Sequence, residues 1–180
     1  WIRRLGVHEV SFERLTGNGN ANNHPEIFPS NKEQDEWFLK MHKQSEEADA
    51  RNWFKNEFLE TIYAKFENNY TKGGTFCRDC EEKIFTINAN GSIGGCPNSA
   101  PEDNFGYITD SFDVLINNPT RLNNIACERS RNPLCYNCEV FQYCGGDCHQ
   151  LSWQGSVCGA PKSLMKELKP TRKVWMIKEL

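Results

Sequence analysis

The chain has 180 residues, enough for one domain of ordinary size with a packed core, and 38% of them are hydrophobic. Lys and Arg number 21 against 24 Asp and Glu, a formal charge of -3 with no basic tract, which excludes a nucleic-acid binder that tracks phosphates. No apolar run approaches the roughly 18 residues of a membrane span and nothing at the start resembles a signal peptide, so no membrane partner and a cytoplasmic location are expected.

The chain opens on Trp1-Ile2-Arg3-Arg4 without an initiator Met and reads as a piece of a longer protein. Residues 6–15, GVHEVSFERL, place Val10 and Phe12 on one face with His8, and Glu9, Ser11 and Glu13 on the other. This predicts a half-buried strand, with Val7 breaking the alternation and the charged positions facing solvent. The loop TGNGNANNHPE follows, and its Gly17-Asn18-Gly19 lacks the helix start that a phosphate loop needs. Ser30 with Glu33 three residues on reads as a capping box, so a helix starts near Asn31 and carries Trp37, Phe38 and Met41 at helical spacing. Trp53, Phe54, Phe58, Ile62 and Phe66 predict a second amphipathic helix over 46–68, ended by Gly73-Gly74. A strand and two helices cannot close a layered core alone, so the first 70 or so residues read as the tail of something larger.

From Cys77 the chain changes to short strands, turns and cysteines. Residues 84–88 and 92–96 bracket Ala89-Asn90-Gly91, a strong hairpin signal. Short helices are predicted at 110–117, stopped by Pro119, then at 121–127 and at 162–168.

The nine cysteines run Cys77-x2-Cys80-x15-Cys96, then Cys127 alone, then Cys135-x2-Cys138-x5-Cys144-x3-Cys148-x9-Cys158. An odd count with two C-x-x-C pairs points to a reducing compartment and metal ligation in place of disulfides. Each C-x-x-C turn sets two thiolates on one side of a tight loop, and eight ligands make two four-coordinate sites. Zinc would staple a domain with a thin core, whereas the glycines of Cys144-Gly145-Gly146-Asp147-Cys148 allow the close backbone approach that suits a bulky iron-sulfur cube. The residues leave both metals open, with Cys127 reading as a buried free thiol and His149 as a spare donor beside Cys148.

The stretch Cys80-x10-Gly91-x4-Cys96, followed by Cys135-x2-Cys138-x5-Cys144-x3-Cys148 and Cys158, resembles the seven-cysteine signature of the SPASM domain. This is the auxiliary-cluster domain of radical S-adenosylmethionine (radical SAM) maturases. Asn104-Phe105-Gly106-Tyr107-Ile108 is similar to that family's segment between its two cysteine groups, and GVHEVSFERLTGNGNA looks like the last part of its partial (β/α)6 barrel. The resemblance implies an α+β fold: a barrel tail over 1–72, a SPASM domain with a β-hairpin and short helices over 73–160, and a C-terminal helix and tail over 161–180. It implies that Cys77, Cys80, Cys96 and Cys148 hold one [4Fe-4S] cluster, and Cys135, Cys138, Cys144 and Cys158 a second.

The whole enzyme would use S-adenosylmethionine and a third [4Fe-4S] cluster to modify a ribosomally made peptide or protein by crosslinking or oxidation. A flavodoxin or ferredoxin would supply electrons. Three departures stand out. No C-x3-C-x2-C triad is present, so the piece lacks the S-adenosylmethionine-cleaving cluster and is expected to be inactive alone. Pro97 follows Cys96 where sulfatase-maturing relatives carry an Asp, and the nine residues between Cys148 and Cys158 are fewer than usual in the family. The competing readings are a non-enzymatic zinc-binding interaction module and a ferredoxin-type electron carrier; the strand and helices at 6–68 speak against the second.

Overall fold

The computed structural model describes residues 2–17, 19–67 and 79–169. Its first part alternates strand and helix. Strand β1 (Glu9–Val10) pairs in parallel with β2 (Lys55–Asn56), Glu9 opposite Lys55, and helix α1 (Asn31–Glu47) lies between them in the chain. A parallel pair needs such a crossover, so this is a strand-helix-strand unit, continued by α2 (Glu57–Glu67). The capping box forms: Ser30 Oγ accepts from the Glu33 N–H at 3.1 Å, and the Glu33 carboxylate accepts from the Ser30 N–H at 2.8 Å.

Two expectations are corrected here. The strand over 6–15 shortens to two residues, because its partner β2 is itself only two residues long. The single helix over 46–68 divides into the end of α1, a 3-10 turn at Ala50–Asn52, β2 and then α2. Trp53 and Phe54 therefore lie ahead of the helix, Arg3 standing over the Trp53 ring at 5.2 Å.

The second part begins with α3 (Cys80–Lys83). The predicted hairpin is β3 (Thr86–Ile87) antiparallel to β4 (Ser92–Gly94), turning at Gly91 with φ +82°. A strand the sequence did not announce, β5 (Gly106–Tyr107), pairs with the other edge of β4. Helices α4 (Phe112–Ile116) and α5 (Pro119–Arg129) follow, Pro119 opening α5 at a position where no N–H is needed. Next come α6 (Phe141–Cys144) and α7 (Lys162–Leu168), the last with the predicted bounds. The described residues thus form a mixed helix-and-sheet fold with two small sheets.

One apolar core draws on both parts. Phe38, Phe58, Leu59, Ile62 and Tyr63 from α1 and α2 pack with Val140, Cys144, Ala160, Leu164 and Met165. Phe38 and Phe58 stack with ring centroids 4.0 Å apart, and each buried side chain of this size contributes on the order of 2 kcal/mol. Helix α7 docks on α1, where Asp35 accepts from the backbone N–H and the hydroxyl of Ser163 at 2.7 and 2.6 Å. A smaller cluster of Ile93, Phe105 and Leu115 underlies the three-stranded sheet. Among the described residues no helix is long and apolar enough to cross a membrane.

Candidate metal centres

Cys135, Cys138, Cys144 and Cys158 line one cavity of about 180 Å³. Local backbone geometry delivers each thiol. Cys135 closes a 3-10 turn started by Pro133, and the Cys138 N–H bonds back to the Cys135 carbonyl at 3.0 Å. Cys144 ends α6, which Gly145 terminates in the left-handed conformation. Cys158 follows a tight bridge between Gln154 and Val157.

That last loop is pinned by Asn31. The Asn31 amide donates to the carbonyls of Ser152 and Val157, both at 2.9 Å, and its backbone N–H donates to Gln154 at 2.7 Å.

The cavity's chemistry fits a thiophilic metal group. Four soft sulfur donors line it with Val140, Phe141 and Ala160 and with the charged Asp35, Asp147 and Lys162, and among the described residues no imidazole lines it. Burial, reinforced by the charge of Asp147, pushes the Cys144 thiol up to about 12, and burial raises Cys158 as well. Left protonated, the thiols are weak ligands; a bound metal displaces those protons and offsets the buried charge. Among the described residues no three His, Cys, Asp or Glu side chains gather closely enough to hold a single ion.

The other expected ligand set is only partly in view. Cys77 lies outside the described residues. Cys80 opens α3 and Cys96 follows β4, and both are buried. A hydrogen bond from the Cys80 thiol, aided by the Asn98 N–H, holds the Cys96 thiol down at about 7. Cys148 is half-buried; its charge, like that of Cys144, acts on Arg14, while the next residue, His149, acts on Cys96.

The structure also supplies a support the cysteine pattern did not announce. Glu128 on α5, 1% exposed, accepts the backbone N–H groups of Cys80 at 2.9 Å and Glu81 at 3.1 Å. Glu81, also 1% exposed, takes bonds from the Ser99 hydroxyl at 2.9 Å and from His149 Nε2 at 3.2 Å. Burial opposes charge on Glu81, but these two bonds prevail and lower its pKa; burial likewise opposes charge on His149, whose pKa the Glu81 bond and the Glu128 charge raise. The His149 ring thus faces two carboxylates.

Cys127 is exposed on α5, which corrects the expectation of a buried thiol. The buried face of that helix carries Arg121, Asn124 and Glu128 at spacings of three and four, and Cys127 falls beside it. Glu9 and Glu13 do lie on the surface, Glu9 paired with Lys55.

The mixed α+β arrangement, with its small sheets, has neighbours among solved structures. The solved structures similar to the chain include three of anSMEcpe, an anaerobic sulfatase-maturating radical SAM enzyme. The structure with bound AdoMet has a TM-score of 0.60 at 12% identity, over 77% of this chain and 40% of that one. The structure with AdoMet and the Kp18Cys peptide gives 0.61 at 14% over 78% and 40%; that with AdoMet and the Cp18Cys peptide gives 0.60 at 13% over 77% and 40%. The chain therefore spans about 40% of the length of these neighbours and shares fold with that portion. No family model and no curated protein matches it.

Proposed function

We propose that the chain is the auxiliary-cluster region of a radical SAM enzyme that modifies a ribosomally made peptide or protein. The observation that carries this is the convergence of Cys135, Cys138, Cys144 and Cys158 on one cavity. Four thiolates around one space are a donor set that iron-sulfur clusters use, and the flexible glycines beside Cys144 allow the close backbone approach of a bulky group. The shared fold with a peptide-bound radical SAM enzyme supports the same reading.

In this reading residues 1–72 are the barrel tail, 73–160 the SPASM domain and 161–180 a closing helix and tail. Cys135, Cys138, Cys144 and Cys158 hold one [4Fe-4S] cluster; Cys77, Cys80, Cys96 and Cys148 hold the other. Such clusters accept and pass on single electrons. The chain's own residues orient the ligands: Glu128 fixes the backbone at Cys80, Asn31 fixes the loop before Cys158, and the apolar core limits water around Cys144. S-adenosylmethionine and the third cluster would belong to the rest of the enzyme, with a flavodoxin or ferredoxin as electron donor. Pro97 after Cys96 cannot serve as a base, which favours a peptide modification other than sulfatase-type oxidation.

Iron, sulfide and zinc analysis of protein purified without oxygen tests the reading, together with its visible spectrum. About eight iron and eight sulfide per chain, in brown protein, are expected. About two zinc without sulfide would replace this reading with a stapled interaction module.

A further inference from the structure

One loop serves both cysteine sets. Gly145, Gly146 and Asp147 separate Cys144 from Cys148, and all three have positive φ, at +65°, +97° and +60°. Glycine adopts this backbone freely, but Asp147 needs an outside hold.

The hold comes from the far end of the chain. Arg14, four residues beyond β1, places its guanidinium on the Asp147 carboxylate as a two-pronged pair, Nη1 to Oδ2 at 2.7 Å and Nη2 to Oδ1 at 2.8 Å. The same Nη1 donates to the Gly159 carbonyl at 2.9 Å. The two side chains are 4% and 5% exposed, and the guanidinium stands over the Phe58 ring at 5.8 Å. Arg131 Nε also donates to the loop, at the Gly145 carbonyl, at 2.6 Å.

A buried ion pair is a poor stabiliser, because desolvation offsets its attraction. What a planar, bidentate guanidinium supplies is fixed geometry. Here the fixed points adjoin three cysteines. Asp147 precedes Cys148 and follows Cys144 by three, and Gly159 follows Cys158.

We propose that Arg14 is a positioning residue that locks Cys144, Cys148 and Cys158 in one frame and so sets the geometry of both cluster sites relative to the barrel tail. The inference rests on the cluster reading above for the division of the cysteines into two sites, for the barrel tail and for the identity of the metal group. Ligand orientation by such surrounding hydrogen bonds tunes both the affinity and the potential of a bound cluster.

The test uses anaerobically purified protein and the variant Arg14→Lys, which keeps the charge and loses the two-pronged contact. Asp147→Asn serves as the second variant, and Lys55→Gln, an exposed residue of the same tail, as the control. Metal and sulfide content, metal release to a chelator and reduction potentials are measured. Arg14→Lys is expected to retain its iron and sulfide, release iron about tenfold faster, and shift the one-electron reduction equilibrium about tenfold, equivalent to 59 mV; Lys55→Gln matches the parent. Parental release rates and potentials in Arg14→Lys overturn the proposal, as does unfolding of both variants, which assigns the pair to the fold alone. If the parent protein holds zinc without sulfide, the cluster reading fails by itself. Zinc release from the variant then decides the positioning role, a tenfold rise supporting it and an unchanged rate overturning it.

Discussion

Glu128 and Cys80 lie 48 residues apart in the chain, yet the Glu128 carboxylate accepts the Cys80 backbone N–H at 2.9 Å. Its second oxygen takes the Glu81 N–H at 3.1 Å, so one side chain satisfies two donors at the start of α3. Glu128→Ala leaves both N–H groups buried without an acceptor, at about 1–3 kcal/mol each. The expected result is a denaturation midpoint well below the parent's, with weakened metal retention at Cys80 and Cys96. Glu128→Gln, which keeps one acceptor, should recover part of the loss. A Glu128→Ala protein with the parental midpoint would show that α3 does not depend on this contact.

Asn31 ties the start of α1 to the loop that presents Cys158. Asn31→Ala removes two hydrogen bonds and strands the carbonyls of Ser152 and Val157, a loss of about 2 kcal/mol. The loop should open more often, so that Cys158 is alkylated several-fold faster while the exposed Cys127 reacts at its former rate. Equal Cys158 rates in parent and variant would rule the tether out.

His42 offers a pH dependence far from the cysteines. It is buried on α1 with Nδ1 2.8 Å from the Tyr63 hydroxyl, and burial lowers its pKa. Glu46 and Glu167 oppose that shift, while Lys43 and Arg51 add to it. The fold therefore favours neutral His42, and the unfolded chain binds the proton more strongly. Stability is full above about pH 6.5 and declines as the pH falls below it, with a slope of at most about 1.4 kcal/mol per pH unit from this group. His42→Gln should flatten that limb of a stability-against-pH curve; an unchanged limb would assign the acid sensitivity elsewhere.

Cys138 and Cys127 should behave as opposites. Cys138 lines the four-thiol cavity, and under the proposed cluster reading metal binding there would be folding energy, so Cys138→Ala should lose about four iron per chain and lower the melting temperature sharply. Cys127→Ser, at an exposed position on α5, should stay within about 0.5 kcal/mol of the parent with full metal content. An unchanged melting curve with full metal in Cys138→Ala would remove that residue from the ligand set.

Much of this was legible along the chain because it is local. The Ser30 and Glu33 capping box, the Asn90-Gly91 turn, the limits of α7 and the spacing of the cysteines each involve residues a few positions apart, where backbone geometry follows directly from residue type. The elements that escaped are those made by distant partners. Strands β2 and β5 are two residues each and exist only because β1 and β4 offer an edge, so no alternation marks them. Arg14 shares the even-numbered positions of Val10 and Phe12, a hint that it points inward, but nothing near it in sequence names Asp147 as its partner. Nothing near Glu81 and Glu128 in the sequence sets them apart from other acids; only the fold encloses them around His149. Residue types and short spacings determined which groups could bind metal. Only the tertiary structure decided which thiols share a cavity and which buried charges hold them, because burial and long-range hydrogen bonds belong to the packed chain alone.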